Sequence, residues 1–212
     1  MKIAVIGANG KVGSLLVKEA TGRGHEVTAV VRTPPAAAMP TVKVVQKDLF
    51  DLTYDDLKDN EVIIDTFGAW TADTLVQHQT SLQYLCDLLS GKPNRLLVVG
   101  GAGSLYVNSE HTLQVKDTPD FPDAFKPLAT NMGKALDELR KRGDVQWTYV
   151  SSAGDFQAEG PRSGKYIASG EELTLNSNKE SVISYADYAI AMVDEAENAK
   201  HAGKRFSVVA DY

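Results

Sequence analysis

The sequence predicts an α/β fold: a doubly wound parallel sheet with helices on both faces and a small C-terminal part for a substrate. Three observations lead there. Short apolar runs rich in Val and Ile alternate with longer stretches of helical spacing. The first run is closed by a glycine pattern that opens a helix. After residue 150 the alternation gives way to a polar, glycine-containing stretch.

Taken in order, Lys2-Ile3-Ala4-Val5-Ile6 is short, apolar and ended by Gly7, as a strand buried on both faces should be. Val12, Leu15, Leu16 and Ala20 then recur at helical spacing until Gly22 and Gly24 stop the helix. Strands are expected at 25–31, 42–45, 61–66, 95–99 and 146–150. Helices are expected at 73–90 and 122–142, with Pro127 kinking the second or lying in its first turn. Residues 151–165 read as a loop. Tyr166-Ile167 and Leu173-Thr174-Leu175 suggest a small hairpin. Ser184 and Asp187 have the spacing of a capping box, with Asp in place of Glu or Gln. A helix to about residue 198 and a strand at 205–210 complete the chain. Right-handed crossovers make the doubly wound arrangement the natural result. The chain is expected to form one unit, 1–212, with a core over 1–150 and a substrate-side part over 151–212. Pro34-Pro35-Ala36-Ala37-Ala38 reads as a surface loop.

Composition narrows the function. With 43% hydrophobic and 24% charged residues, the chain fits a soluble globular protein. A net charge of −6 argues against a general nucleic-acid binder. No apolar run reaches the roughly 18 residues that span a bilayer, and the stretch before Gly7 is too short to read as the apolar part of a signal peptide. The single cysteine excludes an internal disulfide framework. A cytoplasmic location is expected. Cys86 shares an apolar helical face with Leu82, Leu85 and Leu89 and reads as core; Trp147, inside a strand, does too. His25, His78, His111 and His201 have no metal-like spacing.

Gly7-Ala8-Asn9-Gly10-Lys11-Val12-Gly13 carries the chemistry. Gly7 lets the chain turn off the strand, Gly10 lets a diphosphate approach bare backbone, and Gly13 lets the helix pack closely on the sheet. The helix N-terminus then offers free N–H groups to phosphate oxygens. Sites that prefer NAD carry an acid after the second strand. This strand ends Val30-Val31-Arg32-Thr33, with a guanidinium fork and a hydroxyl suited to a 2′-phosphate, so NADP(H) is expected over NAD(H). Asp48 and Leu49 follow the third strand, where the carboxylate could meet the adenine amino group. Phe67, Gly68 and Ala69 follow the fourth strand, where small residues let the backbone pass the ribose and diphosphate.

These residues, with Val98-Val99-Gly100-Gly101-Ala102-Gly103-Ser104-Leu105, resemble the atypical short-chain dehydrogenase/reductases. Trp147-Thr148, Gly160-Pro161-Arg162-Ser163-Gly164-Lys165-Tyr166, Ile183-Ser184-Tyr185-Ala186-Asp187-Tyr188-Ala189 and Arg205-Phe206 narrow the likeness to the bacterial NAD(P)H-binding proteins named as NADH-flavin reductases. That group is similar to biliverdin-IXβ reductase/flavin reductase and to NmrA-like proteins. The resemblance implies a Rossmann fold, a dinucleotide in the crevice near Gly100 and Gly101, and a small C-terminal part over the nicotinamide.

The superfamily's Tyr-x-x-x-Lys relay occurs here at Tyr54 and Lys58, too early in the chain to reach the nicotinamide. In the expected helix Lys134 takes the lysine position but Thr130 stands where tyrosine would. Two classes fit that absence. One is a reductase whose acceptor, a flavin (FMN or FAD) or a quinone, takes hydride on a conjugated ring while solvent supplies the proton. The other is a non-catalytic redox-sensing regulator of the NmrA-like type. Ser104 and Tyr106 are candidates for positioning substrate or donating a hydrogen bond. Arg162 and Lys165 are candidates for clamping an anionic substrate, and Phe156 for lining an apolar acceptor site. The expected partner is a small-molecule acceptor; monomer and homodimer remain open.

Overall fold

The computed structural model describes residues 1–34 and 41–211. Its elements are β1 (Lys2–Ile6), α1 (Lys11–Gly22), β2 (Glu26–Val31), β3 (Val42–Gln46), the single turn α2 (Tyr54–Leu57), β4 (Val62–Asp65), α3 (Gln77–Leu88), β5 (Arg95–Gly100), α4 (Lys126–Leu139), β6 (Gln146–Ser151), β7 (Asp155–Gln157), β8 (Tyr166–Ser169), β9 (Val182–Ser184), α5 (Tyr185–Asn198) and β10 (Lys204–Ala210).

Eight strands form one sheet in the order β3-β2-β1-β4-β5-β6-β10-β8. All neighbours run parallel except β8, which lies antiparallel on β10. The chain winds outward from β1 through β2 and β3, then returns through β4, so the direction of winding reverses between β1 and β4. A crevice opens at the carboxyl ends of the strands at such a reversal. Alternate side chains of β1 face opposite layers. Ile3 and Val5 join Leu16, Val17, Tyr188 and Met192 of α1 and α5. Ala4 and Ile6 join Leu82, Leu85, Cys86, Leu136, Trp147 and Tyr149 on the α3 and α4 side. Cys86 and Trp147 are core residues, as their apolar neighbourhoods predict. No helix among the described residues is long and apolar enough to cross a membrane.

Several local expectations are corrected. Residues 73–76 are turns, and α3 starts at Gln77. The second long helix starts at Lys126 after a 3-10 turn over Asp123–Phe125, and Pro127 lies in its first turn, where its missing N–H is harmless. The 166–175 hairpin does not form. β8 pairs with β10 from Ser207↔Ser169 to Ala210↔Tyr166, and Glu172 bridges Tyr106 instead. A short alternating run states that it will pair, not with which strand. The 151–165 stretch is not all loop, because β7 pairs in parallel with β9. The capping box is half made: Ser184 accepts from the Asp187 N–H, but the Asp187 carboxylate turns to Ser163 and Gly164. The insert expected at Pro34-Pro35-Ala36-Ala37-Ala38 falls, after Pro34, outside the described residues.

Candidate functional site

The crevice is built first from backbone. β1 stops at Ile6, and Gly7 turns with φ +80. A Cβ on Gly7 would sit 2.7 Å from Thr66 Oγ1. That hydroxyl donates to the Ile6 carbonyl at 2.7 Å and so pins the end of β1 to the end of β4. A Cβ on Gly13 would lie 2.3 Å from the Gly7 carbonyl oxygen, so α1 reaches this depth only with glycine there. Gly10 is the N-cap of α1 and is exposed. No side chain caps α1, and its first turn, Lys11, Val12 and Gly13, contains no acid. A helix start of this kind has free N–H groups and a positive dipole end facing solvent.

The neighbouring strand ends converge on the same edge. Asn9 Nδ2 donates to the Thr33 carbonyl at 2.8 Å, tying the glycine turn to the end of β2. Arg32 and Thr33 are exposed there, and the Arg32 guanidinium has no ion-pair partner among the described residues. After β3, Asp48 accepts from the Phe50 N–H at 3.0 Å and caps the 3-10 turn Leu49–Asp51, while Leu49 is buried in the core. The carboxylate thus has a structural task, and Leu49 contributes packing. After β4, the Phe67 N–H donates to Asp65 at 2.9 Å. Both polar backbone atoms of Ala69 meet His78 Nε2, at 3.3 and 3.0 Å. Burial lowers the His78 pKa, opposed by the bond to Ala69. Gly68 is exposed beside the indole of Trp70, itself 75% exposed. Gly100 is buried beneath the ring of Tyr149, and Gly101 lies beside the Met132 thioether.

The catalytic and substrate candidates fare differently. Ser104 is buried, and its oxygen accepts from Arg205 Nη1 at 3.2 Å. Arg205 in turn is paired with Glu171, which also receives Arg140 at 2.6 Å. Burial pushes the Glu171 carboxyl up, but Arg205 and Arg140 outweigh it and hold the group below its ordinary range. Tyr106 stacks on His111 with ring centroids 4.5 Å apart, and its backbone pairs with the 171–173 segment. Ser104 is thus tied to Arg205 of β10, and Tyr106 to His111 and the 171–173 segment. Lys134 is exposed on α4, whose buried face is Ala129, Gly133, Ala135, Leu136 and Leu139. Tyr54 bonds Asn94, and Lys58 pairs with Asp55, as expected of a chance spacing. Arg162 is 58% exposed on its side chain and pairs with Glu19 at 2.9 Å, roughly 12 Å along α1 from its first residue. That pair turns the guanidinium toward the outer helix and away from the phosphate end. Lys165 stays exposed at the start of β8, two strands beyond β6. Phe156 packs on Tyr185 and Tyr188.

Asp65, Thr66, Tyr149 and the Arg205–Glu171 pair were not singled out from the sequence. Asp65 left one readable sign: a carboxylate closing the otherwise apolar run Val62-Ile63-Ile64.

Comparisons with known proteins agree with this geometry. A family model described as NAD(P)H-binding matches residues 7–198. The chain is 41% identical over 211 residues to YwnB of Bacillus subtilis (strain 168), a protein described as uncharacterized, covering 100% of this chain and 99% of that one. The crystal structure of SP1627 from Streptococcus pneumoniae TIGR4, named "a putative NADH-flavin reductase", is 48% identical over the whole of both chains with a TM-score of 0.96. ChuY, named an anaerobillin reductase, from Escherichia coli O157:H7, shares the fold with a TM-score of 0.74 at 21% identity, covering 99% of this chain and 97% of that one.

Proposed function

The chain belongs to the NAD(P)H-binding family, and on that premise we propose that it is a reductase that uses NADPH in preference to NADH and reduces a small conjugated acceptor such as a flavin or a quinone. The uncapped, acid-free start of α1 behind the Gly7 turn carries this reading. It offers a diphosphate free N–H groups and no competing anion. Gly10 leaves the approach open, and Thr66 braces the turn from β4. Arg32 and Thr33, held beside the glycine turn through Asn9, are the groups for a 2′-phosphate. Gly68 and Gly101 leave room for the rest of the dinucleotide along the carboxyl edge. When bound, the nicotinamide supplies a hydride.

Thr130 stands where the relay tyrosine would, so the relay pair is not present at its usual place on α4. That favours an acceptor whose ring takes hydride without a protein proton donor, with FMN or FAD arriving as substrate. The protein's part is then to align the two rings and exclude bulk water between them. The same proposal makes this a cytoplasmic enzyme of small molecules, with no nucleic-acid or membrane partner.

The test is a calorimetric titration with NADPH and NADH, followed by loss of nicotinamide absorbance with FMN, FAD and quinones. Tighter NADPH binding and turnover on at least one acceptor are expected. Tight binding without turnover on any acceptor points to the redox-sensing regulator of the NmrA-like type. No uptake of either nucleotide at millimolar concentration overturns both.

A further inference from the structure

One row across the sheet departs from the apolar pattern. Asp65 of β4 pairs with Val98 of β5, Val98 with Tyr149 of β6, and Tyr149 with Arg205 of β10. Residues in register on neighbouring parallel strands face the same side, here the layer under α3 and α4. Asp65 is 4% exposed and has one hydrogen bond, from the Phe67 N–H. Tyr149 is fully buried; the Gly101 N–H approaches its phenol oxygen, but its own O–H has no acceptor of ordinary hydrogen-bond geometry. Buried polar groups are seldom left so.

The Tyr149 ring leans over β5, and a single pocket is lined by both groups. A Cβ on Gly100 would lie 2.0 Å from Tyr149 Cε1, so the phenol ring crosses β5 over the space that glycine leaves. That brings it toward β4. Asp65 and Tyr149 line one partly open pocket, with about 20 Å³ of room for water, together with Phe67, His78, Ser81 and Met132. A single water needs roughly 10–15 Å³ and two to four polar partners. A phenol without an acceptor and a carboxylate with capacity to spare supply them.

We infer that Asp65 and Tyr149 hold one internal water between them and that this pair positions the dinucleotide from beneath the crevice. Asp65 bonds the backbone of the turn at Phe67, Gly68 and Ala69. Tyr149 supports the backbone at Gly100 and Gly101. The water joins the two turns, so the floor on the β4 side and the floor on the β5 side move as one piece. Both residues are positioning residues, acting through backbone that touches the ligand. Their roles rest on the dinucleotide reading above; the water itself does not.

A double-mutant cycle tests the pair. Tyr149→Phe deletes the hydroxyl, and Asp65→Leu replaces the carboxylate with an apolar group of similar size. Each single change is expected to weaken NADPH binding about 5-fold, and the double change no further than the weaker single. Asp65→Asn, which keeps the acceptor for Phe67 and can still bond the water, is expected to stay within about twofold of wild type. Effects that multiply in the double variant, or singles that leave the dissociation constant unchanged, overturn the inference while the dinucleotide reading stands. If the wild type binds neither nucleotide, that reading falls, and the same cycle on urea midpoints decides the water: coupled effects support it, additive effects remove it. Should Asp65→Leu not fold, Asp65→Ala against Tyr149→Phe gives the cycle, read with solvent density between the two side chains in a crystal structure of the wild type; a dry cavity overturns the pair.

Discussion

The frame around the sheet is made of different materials on its two sides. Around β1, β2 and β4 it is backbone: a left-handed Gly7, a bare helix start, and turns pinned by Thr66 and Asn9. Arg32, at the end of β2, has no ion-pair partner among the described residues. Around β6 and β10 it is charged side chains already committed to one another: Arg205 with Glu171 and Ser104, Arg162 with Glu19, and the buried Asp187 with the 163–164 turn. The first side is organised to receive a ligand. The second is organised to hold the fold, and these charges are already paired with one another.

That contrast predicts which substitutions change stability and which change binding. The largest effect belongs to Asp65. Burial raises its pKa from 3.8 to about 6, opposed by the Phe67 N–H. A carboxyl with a raised folded-state pKa disfavours the fold when ionised. The penalty is absent below pH 3.8, grows as pH rises to about 6, and is complete above that, at about 3 kcal/mol. Asp65→Asn should therefore be more stable than wild type at pH 7 by about that amount and equal to it near pH 3.5, as urea unfolding across this range will read. Next is Glu171→Gln, which leaves the fully buried Arg205 side chain without its anion. A loss of about 2–3 kcal/mol in unfolding free energy is expected, with nucleotide affinity within about twofold of wild type. Arg32→Ala is its mirror image. The affinity for NADPH should fall by about 1–3 kcal/mol while NADH binding and thermal stability hold; equal losses for both nucleotides would remove Arg32 from the 2′-phosphate site. Arg162→Ala is the smallest. An ion pair this exposed contributes less than about 1 kcal/mol, and the KM for a flavin phosphate should not move. A tenfold rise would show that Arg162 leaves Glu19 for the substrate.

The same contrast explains what the sequence disclosed. Strands buried on both faces read as apolar runs, so β1, β2, β4, β5, β6 and β10 were legible within a residue or two; β3, a largely exposed edge strand, was legible from its closely spaced valines Val42, Val44 and Val45. The glycine turn was legible because its requirement falls on the backbone, where only glycine tolerates φ +80 or a carbonyl at 2.3 Å. Ser104 and Arg162 were read as ligand-facing because their partners lie far off in the chain, Arg205 and Glu19. No local pattern marks such pairs. β7 and β9 were missed for a related reason: each is three residues long and gains its identity only from the other.

The antiparallel edge carries one last consequence. Residues 166–169 are made before residues 204–210, yet they sit outside them, with β10 between β8 and the rest of the sheet. On a ribosome, β8 therefore emerges with nothing to pair with. It waits through all of α5, and that border of the protein is sealed in a late step. A chain stalled or cut ahead of residue 204 exposes the unpaired side of β6, an open template for unwanted strand addition.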